Sequence, residues 1–423
     1  MQEAASTSLR RPERFYGWII VAVASVVSLS GVAFYNPVLG VFVRPFEEEF
    51  GWSRLTVSLV ITVGNFAGAL FAPAVGAILD RRGARFLSGA GMTVMVICLF
   101  ALALTPSLWW FYVFFGIGRA TAVGVIDLAV AVAVANWFIR RRGIAMGLAT
   151  LGNRAGMALL PLLAQIMIVW WNWRAAWVAL GIFVLIAGVG PSFRFLRRRP
   201  EDMGLLPDGD SVEVASRSAR SATGIETSWS VSDATRTRAF WLITLATSSV
   251  FLVSGGINLH QMAHLQDQGL SSTVAVGVVA AFAVFGGLGG LLAGVLQHRI
   301  GSRWTFALSL AASAGGLVIL IHADNIALAY IYGAWYGLFF GVVATMMAVI
   351  YADYFGRMAL GRIRGVVAPI NIVFNALGPP LAGWAFDVSG SYAVAFWAFT
   401  VLYLLAVLWV FLAGPPRQRE GIV

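Results

Sequence analysis

The dominant pattern along the chain is a train of long apolar runs separated by short polar breaks that carry arginine. Runs able to cross a bilayer as a helix, about 20 residues each, fall at 17–42, 55–79, 86–104, 108–137, 143–170, 174–193, 240–263, 272–296, 304–322, 326–350, 364–386 and 391–413. They predict twelve helical spans. Only one polar segment is long, residues 194–239, where Arg197-Arg-Arg-Pro-Glu-Asp202 leads into a stretch rich in Ser, Thr and Asp. It reads as a linker. The expected organisation is therefore a tail (1–16), a six-helix half (17–193), the linker (194–239), a second six-helix half (240–413) and a short tail (414–423).

The two halves repeat each other. Gly76-Ala-Ile-Leu-Asp80-Arg-Arg-Gly83-Ala-Arg85 separates spans 2 and 3, and Gly294-Val-Leu-Gln-His-Arg-Ile-Gly301-Ser-Arg303 separates spans 8 and 9. Gly76, Gly83 and Arg85 map onto Gly294, Gly301 and Arg303 with one offset, 218. Gly143, Asn153 and Gly156 in span 5 likewise map onto Gly365, Asn375 and Gly378 in span 11, offset by 222. Such periodic echoes indicate a duplicated membrane protein. The expected fold is all-α, with twelve transmembrane helices in two pseudo-symmetric six-helix halves.

Composition agrees. The chain is 59% hydrophobic and 11% charged, with a mean hydropathy of +0.83, against roughly 25% charged residues in soluble domains. Its net charge is +10, and all 29 basic residues are arginine. Twenty-seven sit in the breaks between spans, 24 on one face and three (Arg44, Arg54, Arg174) on the other, and two, Arg119 and Arg154, lie inside spans. That asymmetry reads as membrane topology, with both termini and the linker cytoplasmic, and not as a nucleic-acid footprint. Trp109, Trp110, Trp171 and Trp173 fall at the opposite boundary, where indole rings favour the interface. The first run lacks a small-residue cleavage site and reads as a retained helix. The single Cys98 allows no intrachain disulfide. No metal site and no cofactor are expected.

Twelve spans, a long central loop and Gly-x-x-x-Asp-Arg-x-Gly-x-Arg over Gly76, Asp80, Arg81, Gly83 and Arg85 resemble the major facilitator superfamily. Three further stretches are similar to its monocarboxylate-transporter branch and that branch's bacterial relatives: Gly40-Val-Phe-Val-Arg-Pro-Phe-Glu-Glu-Glu-Phe-Gly-Trp-Ser53, Trp137-Phe-Ile-Arg-Arg-Arg-Gly-Ile-Ala-Met-Gly147 and Tyr354-Phe-Gly-Arg-Met-Ala-Leu-Gly-Arg-Ile-Arg-Gly365. The chain departs from the branch in span 8, which has no charge before Arg299, and in lacking lysine. The resemblance implies a transporter of the bacterial inner membrane, not an enzyme, in which a single chain rocks around a central site by alternating access. It also implies that Asp80 sits at a cytoplasmic gate, facing the positive N-terminal end of span 11 and Arg140. Gln297 stands one residue off the equivalent place, which makes the second gate weaker.

The candidate chemistry lies in the charges inside spans, which cost about 2.5–3.5 kcal/mol each even on lenient insertion scales. Asp127 and Arg154 are at matching depth on spans 4 and 5, ten and eleven residues from the loop that joins them. An ion pair between them is the economical expectation. It is either a packing device or a site where Arg154 holds an anionic substrate and Asp127 exchanges a proton. Arg119 stands eight residues toward the arginine-poor face of span 4; it either adds positive charge to the site or bonds backbone carbonyls at a helix bend. Two arginines and one aspartate favour an anion such as a carboxylate, which a guanidinium grips through two parallel hydrogen bonds. Asn153 and Asn375 are candidate lining groups. His260, four residues before His264, is a candidate for proton coupling. The expected partners are a small organic anion, protons and the lipid bilayer. Two other classes stay open: an efflux carrier for amphipathic compounds in which the arginines are structural, and a non-transporting sensor or enzyme of the membrane. The chain has no phosphate loop or nucleophile elbow to favour an enzyme.

Overall fold

The computed structural model describes residues 15–139, 141–209, 229–356 and 360–414. The first half comprises α1 (Gly17–Gly31), α2 (Asn36–Phe50), α3 (Arg54–Ala103), α4 (Leu108–Thr121), α5 (Asp127–Trp137), α6 (Arg142–Trp170), α7 (Trp173–Phe183) and α8 (Gly190–Phe195). A short α9 (Val231–Thr235) precedes the second half, which comprises α10 (Arg238–Asp267), α11 (Ser272–Ile321), α12 (Ile326–Phe355), α13 (Leu360–Ser389) and α14 (Ala393–Leu412). Among the described residues eleven helices are long and apolar enough to span a membrane. One of them, α11, contains a break at Gly301, so twelve segments cross.

The polar residues that close the gaps between apolar runs start the helices. Ser53, Asn172, Thr237 and Asn325 each accept a hydrogen bond from the backbone N–H three residues on, at the heads of α3, α7, α10 and α12. Each satisfies an amide that would otherwise be orphaned at a helix end. The repeated hinges are glycines for a steric reason. Gly83 has φ +77° and ψ 168°, and Gly301 has φ +80° and ψ 162°, a region that L side chains avoid. Arg85 and Arg303, equivalent in the two halves, then staple the turns. Arg85 Nε donates to the Phe193 carbonyl at 2.9 Å. Arg303 donates to the carbonyls of Val410 and Phe411. The hinge motif thus anchors the last span of its own half.

Span 1 is not one helix. Pro37 at the head of α2 has no N–H to continue α1, and the chain breaks through a 3₁₀ turn, Val32–Phe34, to an extended Tyr35 at φ −91°, ψ 162°. The helix then runs on to Phe50, eight residues past the apolar run. Spans 4 and 6 each contain a π-helical turn, Ala122–Ile126 and Val184–Val189.

Within each half, small residues let backbones touch. A Cβ on Gly156 would lie 2.7 Å from the Leu29 carbonyl, and one on Gly378 would lie 2.0 Å from that of Leu252. These two glycines are the repeat-related pair of spans 5 and 11. The glycine run of span 8 also packs: Gly289 faces the Leu338 carbonyl and Gly341 faces that of Gly286. Close backbone contact of this kind holds helices together where lipid supplies no hydrophobic drive. Of the four boundary tryptophans, Trp109 and Trp171 are exposed as expected. Trp110 and Trp173 instead turn inward, donating their indole N–H to the Ala101 carbonyl and to Glu49, because each finds an acceptor there.

The halves meet from one end to mid-span. Contacts across them join α2 to α10, α3 to α13 and α6 to α11, and the polar ones run from the arginine-poor ends (Arg44–Asp267, Arg54–Asp267, Leu55–Asp387, Ser58–His260 and Gln165–Ser272) to mid-span (Asn36–Gly255, Thr62–Ala376 and Asn65–Asn375). Toward the arginine-rich face Leu70 of α3 and Ile144 of α6 stand exposed, at 76% and 64%. The molecule is shut on the arginine-poor side and open on the other. Gly76 and Gly294, the repeat-related glycines before the hinges, accordingly meet nothing within 4 Å of a Cβ. The side chain of Asp80, and Arg140, lie outside the described residues, and Gln297 donates to Asp353 at 3.4 Å.

Candidate functional site

A cavity of about 480 Å³ lies between the halves and takes walls from both. Tyr35, Arg119, Asp127, Asn153 and Arg154 line it from the first half, and Asn258, Phe282, Phe340 and Asn375 from the second. It gathers every in-span site residue singled out from the sequence except His260.

The break in span 1 delivers Tyr35 to the centre. Its hydroxyl donates to Asp127 Oδ2 at 2.6 Å, and its ring lies 5.0 Å beneath the Arg119 guanidinium. Asp127 therefore does not form the expected ion pair with Arg154. A π turn lies immediately before Asp127; its wider spacing rotates the carboxylate relative to an unbroken α-helix, and the phenol supplies a hydrogen bond there without importing a second charge.

Arg154 is oriented toward the other half. Its Nη1 is 3.8 Å from where a Cβ on Gly286 would stand, on span 8. Among the described residues its guanidinium makes no hydrogen bond or ion pair, although the residue is half-buried between the halves. A cation withdrawn from bulk water without a partner is costly.

Arg119 is already engaged. Its Nε donates to Asn65 Oδ1 at 2.9 Å and its Nη1 to the Phe34 carbonyl at 3.0 Å. That carbonyl is freed by the 3₁₀ break of span 1. The arginine thus bonds backbone at the bend, and it also lines the cavity. The network crosses between halves, since Asn65 donates to Asn375 Oδ1 at 3.4 Å and Asn375 donates to the Phe251 carbonyl at 3.0 Å.

His260 lies elsewhere, fully buried in the closed end. Its Nδ1 is 2.8 Å from the Tyr392 hydroxyl, and its Nε2 is 2.9 Å from Ser58 Oγ and 3.0 Å from the Pro379 carbonyl. His264 bonds the Leu320 carbonyl at 3.0 Å. The two histidines point into different contacts and form no pair.

The sequence reading missed the closed end itself. Arg54, 3% exposed, ion-pairs with Asp267 and with Glu47, the latter at 3.2 Å. It lies 3.6 Å from the Phe386 ring centroid. Arg44 meets Asp267 at 2.9 Å, and Asp387 caps α3 by accepting from the backbone N–H groups of Arg54 and Leu55. Prolines contribute as well. Pro380 has no N–H for the Ala376 carbonyl, and Thr62 of the first half donates to that carbonyl at 2.6 Å. The usable signal is the proline pair in span 11 together with Arg54 and Asp267 at facing span ends.

Duplicated six-helix halves around a polar cavity, shut on one face and open on the other, define a membrane transporter rather than an enzyme. The chain belongs to the Major Facilitator Superfamily, whose family model matches residues 21–286 and 262–422. It is 24% identical over 413 residues to monocarboxylate transporter 12 of Rattus norvegicus, covering 91% of this chain and 82% of that one. It is 24% identical over 387 residues to the uncharacterised MFS-type transporter YcxA of Bacillus subtilis, covering 89% of this chain and 90% of the relative. Its fold matches a bacterial homologue of the human lysosomal transporter Spinster, solved in an inward-facing, occupied conformation. That likeness has a TM-score of 0.73 at 15% identity, over 95% of this chain and 97% of that one.

Proposed function

We propose that this multi-pass transporter moves a small organic carboxylate together with a proton, through alternating access around the central cavity. The observation that carries the proposal is Arg154: a guanidinium lining the cavity with no anionic partner among the described residues. A carboxylate can take both of its terminal nitrogens in parallel. The monocarboxylate branch typically carries an arginine in span 8; span 8 here has no charge before Arg299, and the span-5 arginine reaches to Gly286 of that span. Phe282 and Phe340 form the opposing wall, their rings 5.6 Å apart. An anion on Arg154 with its body against that wall touches both halves and so favours their closure around it.

The Tyr35–Asp127 hydrogen bond is the proton-coupling element in this reading. A carboxylate bound near Asp127 is tolerated best when Asp127 carries a proton, since like charges repel strongly away from water. Arg119 positions this element through Tyr35 and Asn65 and does not contact the substrate. Asn153 and Asn375 line the path. His260 serves the closed end, and the gate glycines and arginines (Gly76, Arg81, Gly83, Arg85, Gly294, Gly301, Arg303) govern closure of the arginine-rich face, which is cytoplasmic. The functional unit is one chain in a bacterial inner membrane.

Uptake of labelled mono- and dicarboxylates into proteoliposomes tests this, with and without a proton gradient, for wild type, Arg154→Gln and Asp127→Asn. Gradient-driven uptake of one acid, abolished by Arg154→Gln and uncoupled from the gradient by Asp127→Asn, is expected. Uptake that survives Arg154→Gln refutes the anion site. Transport of cationic or neutral amphipathic compounds, undiminished by Arg154→Gln, gives the efflux reading instead.

A further inference from the structure

A second cavity, of about 360 Å³, lies away from the transport path at the arginine-rich end of the first half. Arg82 and Arg85 reach it from the Gly83 hinge, and Arg197 and Arg198 from the segment after α8. Among the described residues its charged lining is these four arginines and Asp202. Phe86 and Phe193, both exposed, form its apolar edge.

The site is built rather than incidental. Arg85 spends only its Nε on the Phe193 carbonyl, and Arg82 lies 4.9 Å over the Phe86 ring. The segment after α8 is pinned to the end of α5, with Trp137 Nε1 donating to the Arg197 carbonyl and Asn136 to the Arg198 carbonyl, both at 3.3 Å. The stem of Arg198 crosses the hinge, its Cγ 2.9 Å from where a Cβ on Gly83 would stand. Among the described residues Arg82, Arg85 and Arg197 make no ion pair.

Arginines lining one cavity, with Arg197 Nη1 donating to the carbonyls of Arg194 and Leu196 and Arg82 and Arg85 beside exposed aromatic rings, match a phosphate on an acyl-bearing molecule. The geometry points to a binding site for the headgroup phosphate of an anionic phospholipid, which ties the hinge of α3 to the segment after α8. The second half does not repeat it. At the 218-residue offset Ile300 stands in place of Arg82 and Trp304 in place of Phe86, and Arg303 gives both Nε and Nη2 to carbonyls. Among the described residues the site is confined to the first half.

Native mass spectrometry and thermal unfolding of the delipidated full-length protein test this, after addition of phosphatidylglycerol, phosphatidylcholine or inorganic phosphate. Arg82→Gln and Arg82→Ile are the primary variants, because the contact Arg82 makes with the Phe86 ring is one the fold can lose. Arg82→Gln with Arg197→Gln is the stronger one, and Arg299→Gln is the control. One retained phosphatidylglycerol per chain, a raised unfolding midpoint, at least a tenfold loss of retention in the Arg82 variants and none in Arg299→Gln are expected. Equal retention of phosphatidylglycerol by wild type and the Arg82 variants overturns the proposal. So does protection by inorganic phosphate matching that by phosphatidylglycerol, which assigns the pocket to a soluble anion. Either result leaves carboxylate transport unaffected, so this test is independent of the transport reading.

Discussion

Asp267→Asn tests whether the arginine-poor face is held shut by electrostatics. Asp267 accepts from Arg54 and Arg44, and Arg54 is buried against Phe386 with Glu47 as its other acidic partner. Removing one partner of a buried ion pair costs about 3–5 kcal/mol, because the remaining charge is left uncompensated. Glu47 survives as a half-exposed partner, which puts the expected cost at the lower end, about 3 kcal/mol. At 1.4 kcal/mol per tenfold, that is about a 150-fold shift from closed toward open at this face. The assay is thiol labelling. In a Cys98→Ala background, a cysteine replaces Ser254, which lines the central cavity. A membrane-impermeant maleimide is then added from the arginine-poor side. Labelling is expected to be slow in this parent and at least tenfold faster once Asp267→Asn is added, while size-exclusion behaviour stays unchanged. An unchanged labelling rate in folded protein would falsify the idea that this cluster is the latch, and would assign closure to helix packing alone.

Three further outcomes follow from the same contacts. Gly301→Ala places a Cβ in a left-handed backbone at φ +80°, and is expected to lower stability by about 1–2 kcal/mol; Gly294→Ala, which meets no atom in this conformation, leaves the unfolding midpoint in detergent almost unmoved, and equal shifts for the two refute the hinge reading. Arg119→Lys keeps the charge but cannot hold both Asn65 and the Phe34 carbonyl in a planar fork; transport falls at least tenfold, and full activity of the lysine variant shows that charge alone suffices. Gly152→Ala drives a Cβ to within 1.8 Å of the Ser25 carbonyl, so α1 and α6 must part at an expected cost of about 1–3 kcal/mol, read as a lower unfolding midpoint.

Much of the fold is local enough to be read from the chain. A run of apolar residues leaves water wherever it occurs, so twelve spans follow from hydropathy. The glycines at 83 and 301 announce themselves because only glycine adopts their backbone readily, and the 218-residue offset places them in equivalent positions. Buried charge is equally visible: Arg119, Asp127 and Arg154 interrupt apolar runs and reach one cavity.

Partner choice is not legible in the same way. Matching depth on adjacent helices suggests that Asp127 meets Arg154, but depth is only one coordinate. Rotation about the helix axis decides which groups touch, and a π turn before Asp127 together with the broken span 1 hands the carboxylate to Tyr35. Tyr35-Asn36-Pro37 signals a break, without saying what the tyrosine will reach. His260 has the chemistry of a coupling residue and the address of a gate residue. Arg54 and Asp267, 213 residues apart, look in the sequence like ordinary charges at span ends.

The sequence by itself determined which segments enter the membrane, where they hinge, that the halves are copies and which charges lie inside, because each depends on a residue's own solvation or backbone freedom. Only the tertiary structure decided which charges pair, which one stays unpaired among the described residues and which face is closed. Those depend on helix rotation and on contacts between halves whose arrangement must itself change during transport.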